Sequence, residues 1–128
     1  MKITTLTRRT LSASERTDIV YGWPHLIALE KFGVGRTLLV KERSVLSVET
    51  IEGVTNAIRR AGNVCSGRFV VLLNTEGGAP EPVDMRILQA MVDSGAAALA
   101  VRRDYPFADR DQTLKFADTH KIPIVEVV

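Results

Sequence analysis

The sequence predicts a three-layer α-β-α sandwich around a mostly parallel or mixed sheet. Helix-like and strand-like segments alternate along the 128 residues. The strand-like segments, such as Thr37–Val40 and Arg68–Leu73, are continuous apolar runs without the alternating polar residues of a half-exposed sheet. Such strands are usually covered on both faces, and their alternation with helices is typical of α/β domains. We therefore expect residues 1–128 to form a single α/β domain.

Composition narrows the class of protein. The chain is 45% hydrophobic and 25% charged, with a net charge of +2. A chain of this length can bury about two-thirds of its unfolded surface, and its small net charge does not require a nucleic-acid or membrane partner. It has no signal-like start and no apolar run near the ~20 residues of a membrane span. Together with the lone Cys65, which suits a reducing compartment, these features predict a soluble cytoplasmic protein.

The first part of the chain predicts a strand, a connector and a helix. β-branched residues favour a strand within Lys2–Thr7, and the polar segment Leu11–Asp18 favours a connector. Because proline is tolerated in the first turn, Gly22 and Pro24 predict a helix start, and Gly33 predicts its end. The inward face of this helix is expected to carry three residues at helical spacing: Leu26, Leu29 and Phe32.

The middle of the chain predicts a second helix between two buried strands. The earlier of these two strands is Thr37–Val40, and the charged segment Lys41–Ser44 that follows it is interpreted as a loop. Ser47 is expected to cap a helix that ends at Gly62, with acidic residues near its start and arginines near its end, as the helix dipole favours. Its apolar stripe would comprise Val48, Ile51, Val54 and Ile58.

The rest of the chain predicts two more helix–strand units. Pro82 is expected to start a helix that Gly95 ends, and a strand of small residues follows at Ala96–Val101. Asp109 is expected to cap a fourth helix, and Pro123–Val128 reads as the last strand. The inward residues of these two helices would be Ile87, Leu88, Met91, Val92, Leu114 and Ala117.

The loop after the strand Arg68–Leu73 is a candidate ligand or partner site. It lies between a strand and a helix, so its glycine pair could contact a ligand at the carboxyl end of the strand. A flexible connector is the alternative interpretation. The candidate residues of this loop are Asn74, Thr75, Glu76, Gly77 and Gly78.

Basic residues near strand ends form a second candidate surface. Such side chains could contact RNA phosphates or an acidic protein partner, or they could simply be solvated. The aromatic content of 5% gives little support to stacking on single-stranded bases. The candidate residues are Arg36, Lys41, Arg43, Arg102 and Arg103.

The sequence predicts no catalytic group, no metal site and no cofactor. Cys65, His25 and His120 are too few and too widely spaced for a convincing zinc site, although a Cys–His nucleophilic pair stays open. Three aspartates within residues 104–111 could hold a cation, but Asp109 fits a helix cap better.

The segment Tyr21–Val40 carries a family resemblance. The pair Tyr21-Gly22, the corner Phe32-Gly33-Val34 and the strand Thr37-Leu38-Leu39-Val40 resemble the start of the third, C-terminal domain of the archaeal and eukaryotic peptide-chain release factor and its relative pelota. The resemblance covers about residues 16–106 and leaves 107–128 as an added helix and strand.

This resemblance implies the α-β-α sandwich shared with kink-turn-binding ribosomal proteins. It also implies a non-enzymatic binding domain of translation that docks a translation GTPase or the ribosome, with RNA as a further candidate partner. Trp23, Pro24, His25 and Ala28 stand where kink-turn readers carry an Asn-Glu pair and a Lys, so it does not imply kink-turn binding.

The second half of the chain has a different resemblance. Gly67–Leu73, Gly95–Val101 and Ile122–Val127 are similar to the N-terminal sensory domain of PucR-type purine-catabolism regulators. This alternative implies a regulatory domain that senses a small molecule, with the Gly77-Gly78 loop lining the ligand site. An enzyme is the third interpretation.

Overall fold

The computed structural model describes residues 1–49, 52–74 and 80–128. The described strands are β1 (Ile3–Thr5), β2 (Thr37–Lys41), β3 (Ser44–Glu49), β4 (Val70–Leu73), β5 (Ala98–Arg102) and β6 (Ile124–Val127). The described helices are α1 (Ala13–Lys31), α2 (Val54–Val64), α3 (Met85–Ser94) and α4 (Arg110–Thr119). None of these helices has the length and apolar character needed to cross a lipid bilayer.

The strands form one mixed sheet in the order β1-β6-β5-β4-β2-β3. β4, β5 and β6 are parallel neighbours, whereas β2 runs antiparallel to both β3 and β4, and β1 runs antiparallel to β6. It follows that β3, β4, β5 and β6 all point in the same direction. The carboxyl ends of these four strands therefore lie side by side at the same end of the sheet, which we call the carboxyl edge.

Helices cover both faces of this sheet, as the apolar strands predicted. Alternate strand residues, such as Leu38 and Leu72, pack with α1 in one hydrophobic cluster. The intervening residues, such as Leu39 and Val71, pack with α2, α3 and α4 in the other. This division follows from the two-residue period of a strand. The predicted α-β-α sandwich with a mixed sheet is confirmed.

The prediction that Leu11–Asp18 is a connector is wrong, because α1 begins within it. The Ser12 hydroxyl accepts a hydrogen bond from the Glu15 backbone N–H at 3.2 Å, and the Glu15 carboxylate accepts one from the Ser12 N–H at 3.0 Å. This capping box satisfies two helix-start donors and has the sequence signature Ser-x-x-Glu. Pro24 consequently lies inside α1 and does not open it.

The inward face of α1 also differs from its prediction. Ile19, Trp23 and Leu26 are buried against the sheet, but Phe32 is 76% exposed and only closes the helix. The earlier helix start moves the centre of the buried face by one to two turns toward the amino terminus. The predicted end of the helix is confirmed, because Gly33 has a left-handed backbone and directly follows the C-cap residue, Phe32.

Gly22 allows α1 to approach the sheet closely. A Cβ atom at this position would lie 2.8 Å from a methyl carbon of Val40 and 3.2 Å from one of Leu72. We expect Gly22→Ala to lower the free energy of unfolding by about 1 kcal/mol, because overpacking outweighs the helix propensity gained. Chemical denaturation measures this change, and Ala28→Gly on the exposed side of α1 reports the propensity contribution alone. An increase in stability for Gly22→Ala would contradict the close approach.

The predicted helix from Ser47 to Gly62 is only partly correct. Residues 44–49 form β3, which pairs with β2 through a two-residue turn at Glu42 and Arg43. Both turn residues have positive φ angles, 52° and 56°, without the Asn-Gly signature that usually marks such a hairpin. The helix begins at Val54 and continues past Gly62 to Val64.

The second half of the chain agrees more closely with its prediction. β4 and β6 lie within the predicted strands, and β5 extends one residue past its prediction, to Arg102. Gly95 is left-handed at the end of α3, and Asp109 caps α4 by accepting from the Gln112 N–H at 3.0 Å. Pro82 does not start α3. Asp84 caps that helix instead, accepting from the Arg86 and Ile87 N–H groups.

Candidate functional site

The carboxyl edge brings together polar residues from several connections. Arg36 precedes β2, Glu49 ends β3, Asn74 follows β4, and Tyr105 follows β5. The Asn74 N–H donates to the Arg36 carbonyl oxygen at 3.3 Å, which ties two of these connections together. Ligands of open α/β sheets bind preferentially at such an edge, because the loops that follow the strands meet there.

Glu49 is the central charged residue of this edge. Its side chain is 0% exposed, and its Oε1 lies 3.5 Å from Arg36 Nε and accepts from the Thr37 hydroxyl at 3.2 Å. Its Oε2 is also buried, yet no residue in the described part of the chain donates a hydrogen bond to it. A buried carboxylate oxygen without a donor is costly. Oε2 is therefore an acceptor that a bound group could satisfy.

The backbone before Arg36 packs directly against the end of β3. A Cβ atom at Gly35 would lie 2.9 Å from the Glu49 carbonyl oxygen. A residue without a side chain thus lets the α1–β2 connection reach β3 at the point where Arg36 contacts Glu49. The ion pair is positioned by backbone packing on one side and by the β2–β3 ladder on the other.

Tyr105 and Glu81 connect the neighbouring loops of the same edge. The Tyr105 hydroxyl donates to the Glu81 carbonyl oxygen at 2.6 Å, and the Glu81 carboxylate accepts from the Val54 N–H at the start of α2 at 3.3 Å. Burial raises the pKa of the Tyr105 hydroxyl strongly, and the nearby Glu81 carboxylate raises it further, while Arg36 opposes the change. Tyr105 therefore stays protonated at neutral pH and acts as a hydrogen-bond donor.

This arrangement has the polar groups that a phosphate-bearing ligand needs. The Arg36 guanidinium is a planar donor suited to phosphate oxygens, and its side chain is 42% exposed. The Glu49 carboxylate could accept a proton from a water molecule, which is the function of a general base. The carboxyl edge thus combines a hydrogen-bond donor for phosphate oxygens, Arg36, with a proton acceptor, Glu49.

The residues singled out from the sequence divide between two edges. Asn74, Arg102 and Arg103 lie at or beside the carboxyl ends of β4 and β5, on the same edge as Arg36. Thr75, Glu76, Gly77 and Gly78 lie outside the described residues. Lys41 and Arg43 lie at the opposite edge, where they line a cleft with Arg68.

Sequence reasoning missed Glu49 as a site residue. It treated this glutamate as an acidic residue near a helix start, whereas Glu49 ends a strand. The sequence signal that could have found it is the apolar–polar alternation Leu46-Ser47-Val48-Glu49, which is typical of a strand; in β3 the polar residues of this pattern are the buried ones. Two polar residues on the buried side of a strand call for an explanation.

The cysteine and the histidines have other contacts. The Cys65 thiol lies 3.8 Å from the Gly67 carbonyl oxygen, while the His25 ring packs on Tyr21 and the His120 ring packs on Phe116. The described residues thus provide no thiol–imidazole hydrogen bond. Across residues 1–49, 52–74 and 80–128, no group of three or more His, Cys, Asp or Glu side chains could hold a metal ion.

Comparison with known families overturns both resemblances drawn from the sequence. The family model described as LpxI C-terminal domain matches residues 2–125. The chain is therefore neither a release-factor or pelota domain nor a PucR-type sensory domain, and the translation and purine-regulator functions inferred from them are wrong. A comparison with curated proteins gives no match.

The residues behind the first resemblance explain the error. Gly22 and Leu26 pack α1 on the sheet, and Thr37–Val40 is a buried strand. These are requirements of an α/β core, which many unrelated families share.

The LpxI match also extends beyond the release-factor resemblance. It runs through α4 and into β6, which that resemblance had treated as an addition. The matched range, 2–125, includes nearly all of the 128 residues, and the chain belongs to the LpxI C-terminal domain family.

Proposed function

We propose that this chain acts in lipid A biosynthesis by binding UDP-diacylglucosamine and contributing to its hydrolysis. The proposal is supported by the LpxI match, since the LpxI family comprises UDP-diacylglucosamine hydrolases of lipid A biosynthesis. The observation that supports a site at the carboxyl edge is the buried Glu49 carboxylate, which lies beside the Arg36 guanidinium. One of its oxygens accepts no hydrogen bond from the described residues.

These two residues have complementary tasks in phosphoanhydride hydrolysis. A water oxygen forms a bond to phosphorus, the phosphoanhydride P–O bond breaks, and the leaving phosphate takes up the electron pair. Glu49 accepts the proton that the water loses. Arg36 donates hydrogen bonds to phosphate oxygens as negative charge shifts in the transition state. Both groups lie at the edge where ligands of open α/β sheets bind.

Other residues of the carboxyl edge would enlarge this site. Asn74, Arg102 and Arg103 adjoin it, and the segment Thr75–Gly78 follows Asn74 directly in the sequence. The diphosphate carries negative charge, so the arginines would contribute to binding more than to proton transfer. We also propose that residues 1–128 act as one domain in the cytoplasm, consistent with a lone cysteine.

The test is direct binding and turnover with UDP-diacylglucosamine. The purified chain should show saturable binding, a melting temperature that rises with substrate concentration, and release of a uridine nucleotide above the rate without protein. UDP-N-acetylglucosamine serves as the comparison ligand without the two acyl chains. Absence of both binding and turnover with UDP-diacylglucosamine would contradict the proposal.

A further inference from the structure

A second polar cleft lies at the edge of the sheet opposite the carboxyl edge. Its volume is about 570 Å³, within the ~300–1,000 Å³ typical of small-molecule sites. The first two turns of α1 form one wall, the β2–β3 turn forms another, and Arg68, just before β4, completes it. We call it the basic cleft, after Lys41, Arg43 and Arg68.

The three cations of the basic cleft have no acidic partner in the described part of the chain. Every ion pair among the described residues involves other arginines, and no described carboxylate lies within 4.0 Å of the side-chain nitrogens of Lys41, Arg43 or Arg68. The carboxylates of Asp18 and Glu42 also line the cleft, so three cations face two anions and the net charge is positive. A bound anion would balance this excess and form charge-assisted hydrogen bonds with the two guanidinium groups.

Asp18 gives the basic cleft a fixed frame. Asp18 is 7% exposed. Its carboxylate oxygens accept hydrogen bonds from the Arg43 N–H at 2.8 Å and from the Glu42 N–H at 3.2 Å. Both carboxylate oxygens thus bind backbone donors of the turn. Asp18 therefore fixes the turn, and it forms no ion pair with the side chain of Lys41, Arg43 or Arg68.

The backbone around the basic cleft is held in an unfavourable conformation. Glu42, Arg43 and Arg68 have positive φ angles of 52°, 56° and 64°, and the other described non-glycine residues of this kind are Asp104 and Lys121. Each such residue costs about 1 kcal/mol or more, and strain of this type concentrates at functional sites. An Asn-Gly turn would remove the cost at the hairpin. The turn instead places an arginine at the cleft.

We propose that the basic cleft binds a small anion bearing a diphosphate group. Arginine forks and a lysine point charge suit the oxygens of a diphosphate. This site is distinct from the proposed hydrolytic site, because Lys41 and Thr37 end a five-residue strand, about 13 Å apart at ~3.3 Å per residue. A ligand in the basic cleft would leave the carboxyl edge open, so the inference does not depend on the proposed hydrolysis.

The test is isothermal titration of the chain with inorganic pyrophosphate and, separately, with ADP. Arg43→Gly and Arg68→Gly each remove a cation while accommodating a positive φ angle, so the fold should persist. We expect a saturable pyrophosphate site in the basic cleft, with affinity reduced about tenfold by either substitution, which corresponds to the loss of one charge-assisted hydrogen bond. Glu42→Gln should tighten binding about twofold, because it removes a negative charge from the rim.

Two variants provide matched controls. Lys121→Gly removes a cation at φ 57° outside the basic cleft, and it should leave the affinity unchanged. Arg103→Gln removes an exposed cation of the carboxyl edge and should leave the affinity of the basic cleft unchanged, so failure of the hydrolysis proposal leaves this test intact. Tighter binding of ADP than of pyrophosphate would identify a nucleotide as the ligand, and equal affinity would identify the diphosphate alone.

Three outcomes would overturn the inference. The first is no saturable binding of either probe, and the second is an equal loss of affinity in Lys121→Gly, which would indicate a general charge effect. The third is loss of binding in Arg103→Gln with none in Arg43→Gly or Arg68→Gly. That pattern would place the diphosphate at the carboxyl edge instead.

Discussion

Replacing Glu49 with glutamine is expected to lower the rate of UDP-diacylglucosamine hydrolysis by about 100-fold or more, the usual loss when a general base is removed. Glutamine keeps the side-chain length and an oxygen that can accept from the Thr37 hydroxyl. It removes the charge paired with Arg36 and the basic oxygen needed for proton transfer. Initial rates at saturating substrate measure this change, and the Michaelis constant should change less than the turnover number.

The same substitution should not unfold the protein. The charge that it removes is buried, and one carboxylate oxygen lacks a described donor. Removing one partner of a buried ion pair usually destabilises a protein, but Arg36 is 42% exposed and stays solvated without Glu49, while the buried oxygen without a donor no longer carries charge. We therefore expect Glu49→Gln to stay folded at the assay temperature with a small change in melting temperature, which separates a catalytic loss from a loss of folded protein.

Glu126→Gln is the matched control for charge. Glu126 is a half-buried glutamate of β6, so the same change of charge is made in a strand. Its rate should stay within about twofold of the wild type, as expected for a site without transition-state contacts. A Glu49→Gln rate equally close to the wild type would show that Glu49 serves only the packing of β3, and the proposed catalytic function would be wrong.

The sequence predicted the sheet well because the strands are buried on both faces. Ten of the 13 residues in β2, β4 and β6 are apolar, and strands covered by helices on both faces need such runs of buried side chains. β3, the outermost strand on its side of the sheet, was missed because only one face of it is buried, and on that face Ser47 and Glu49 stand where apolar residues would be expected. Its spacing of apolar residues was equally compatible with a helix.

The candidate site was only partly predictable for a related reason. The loop beginning at Asn74 was found because it follows a recognisable strand. Glu49 could be placed beside it only after β3 is known to run in the same direction as β4, which is a property of pairing across β2. Likewise, Arg36 and Lys41 lie close in sequence, but β2 begins directly after Arg36 and ends at Lys41, which places the two residues at opposite edges.

The family could not be read from the segment Tyr21–Val40. Its most distinctive residues have structural tasks that any helix packed on a buried strand must meet, including the close approach at Gly22 and the helix end at Gly33. Comparable residues recur in unrelated α/β families for the same physical reasons. The match to the LpxI C-terminal domain instead uses residues 2–125, nearly the whole chain.

Pro24→Ala is expected to raise the free energy of unfolding by about 2 kcal/mol. Pro24 lies inside α1, is exposed, and has no N–H to donate to the Val20 carbonyl oxygen one turn earlier. Alanine restores that donor and gains up to ~3 kcal/mol of helix propensity, offset by ~0.4–1 kcal/mol because the unfolded chain becomes more flexible. The melting temperature should rise by about 5–10 °C for a chain of this size.

Pro82→Ala separates the two contributions to this effect. Pro82 is exposed in the connection before α3, outside the described helices, so its replacement adds only unfolded-state flexibility and should lower the melting temperature slightly. If Pro24→Ala also failed to raise the melting temperature, the helix conformation imposed by Pro24 would be contributing to packing. Trp23 and Leu26 lie next to Pro24 in the helix and are buried on the sheet, so a change in the path of α1 would then move one of them out of the core.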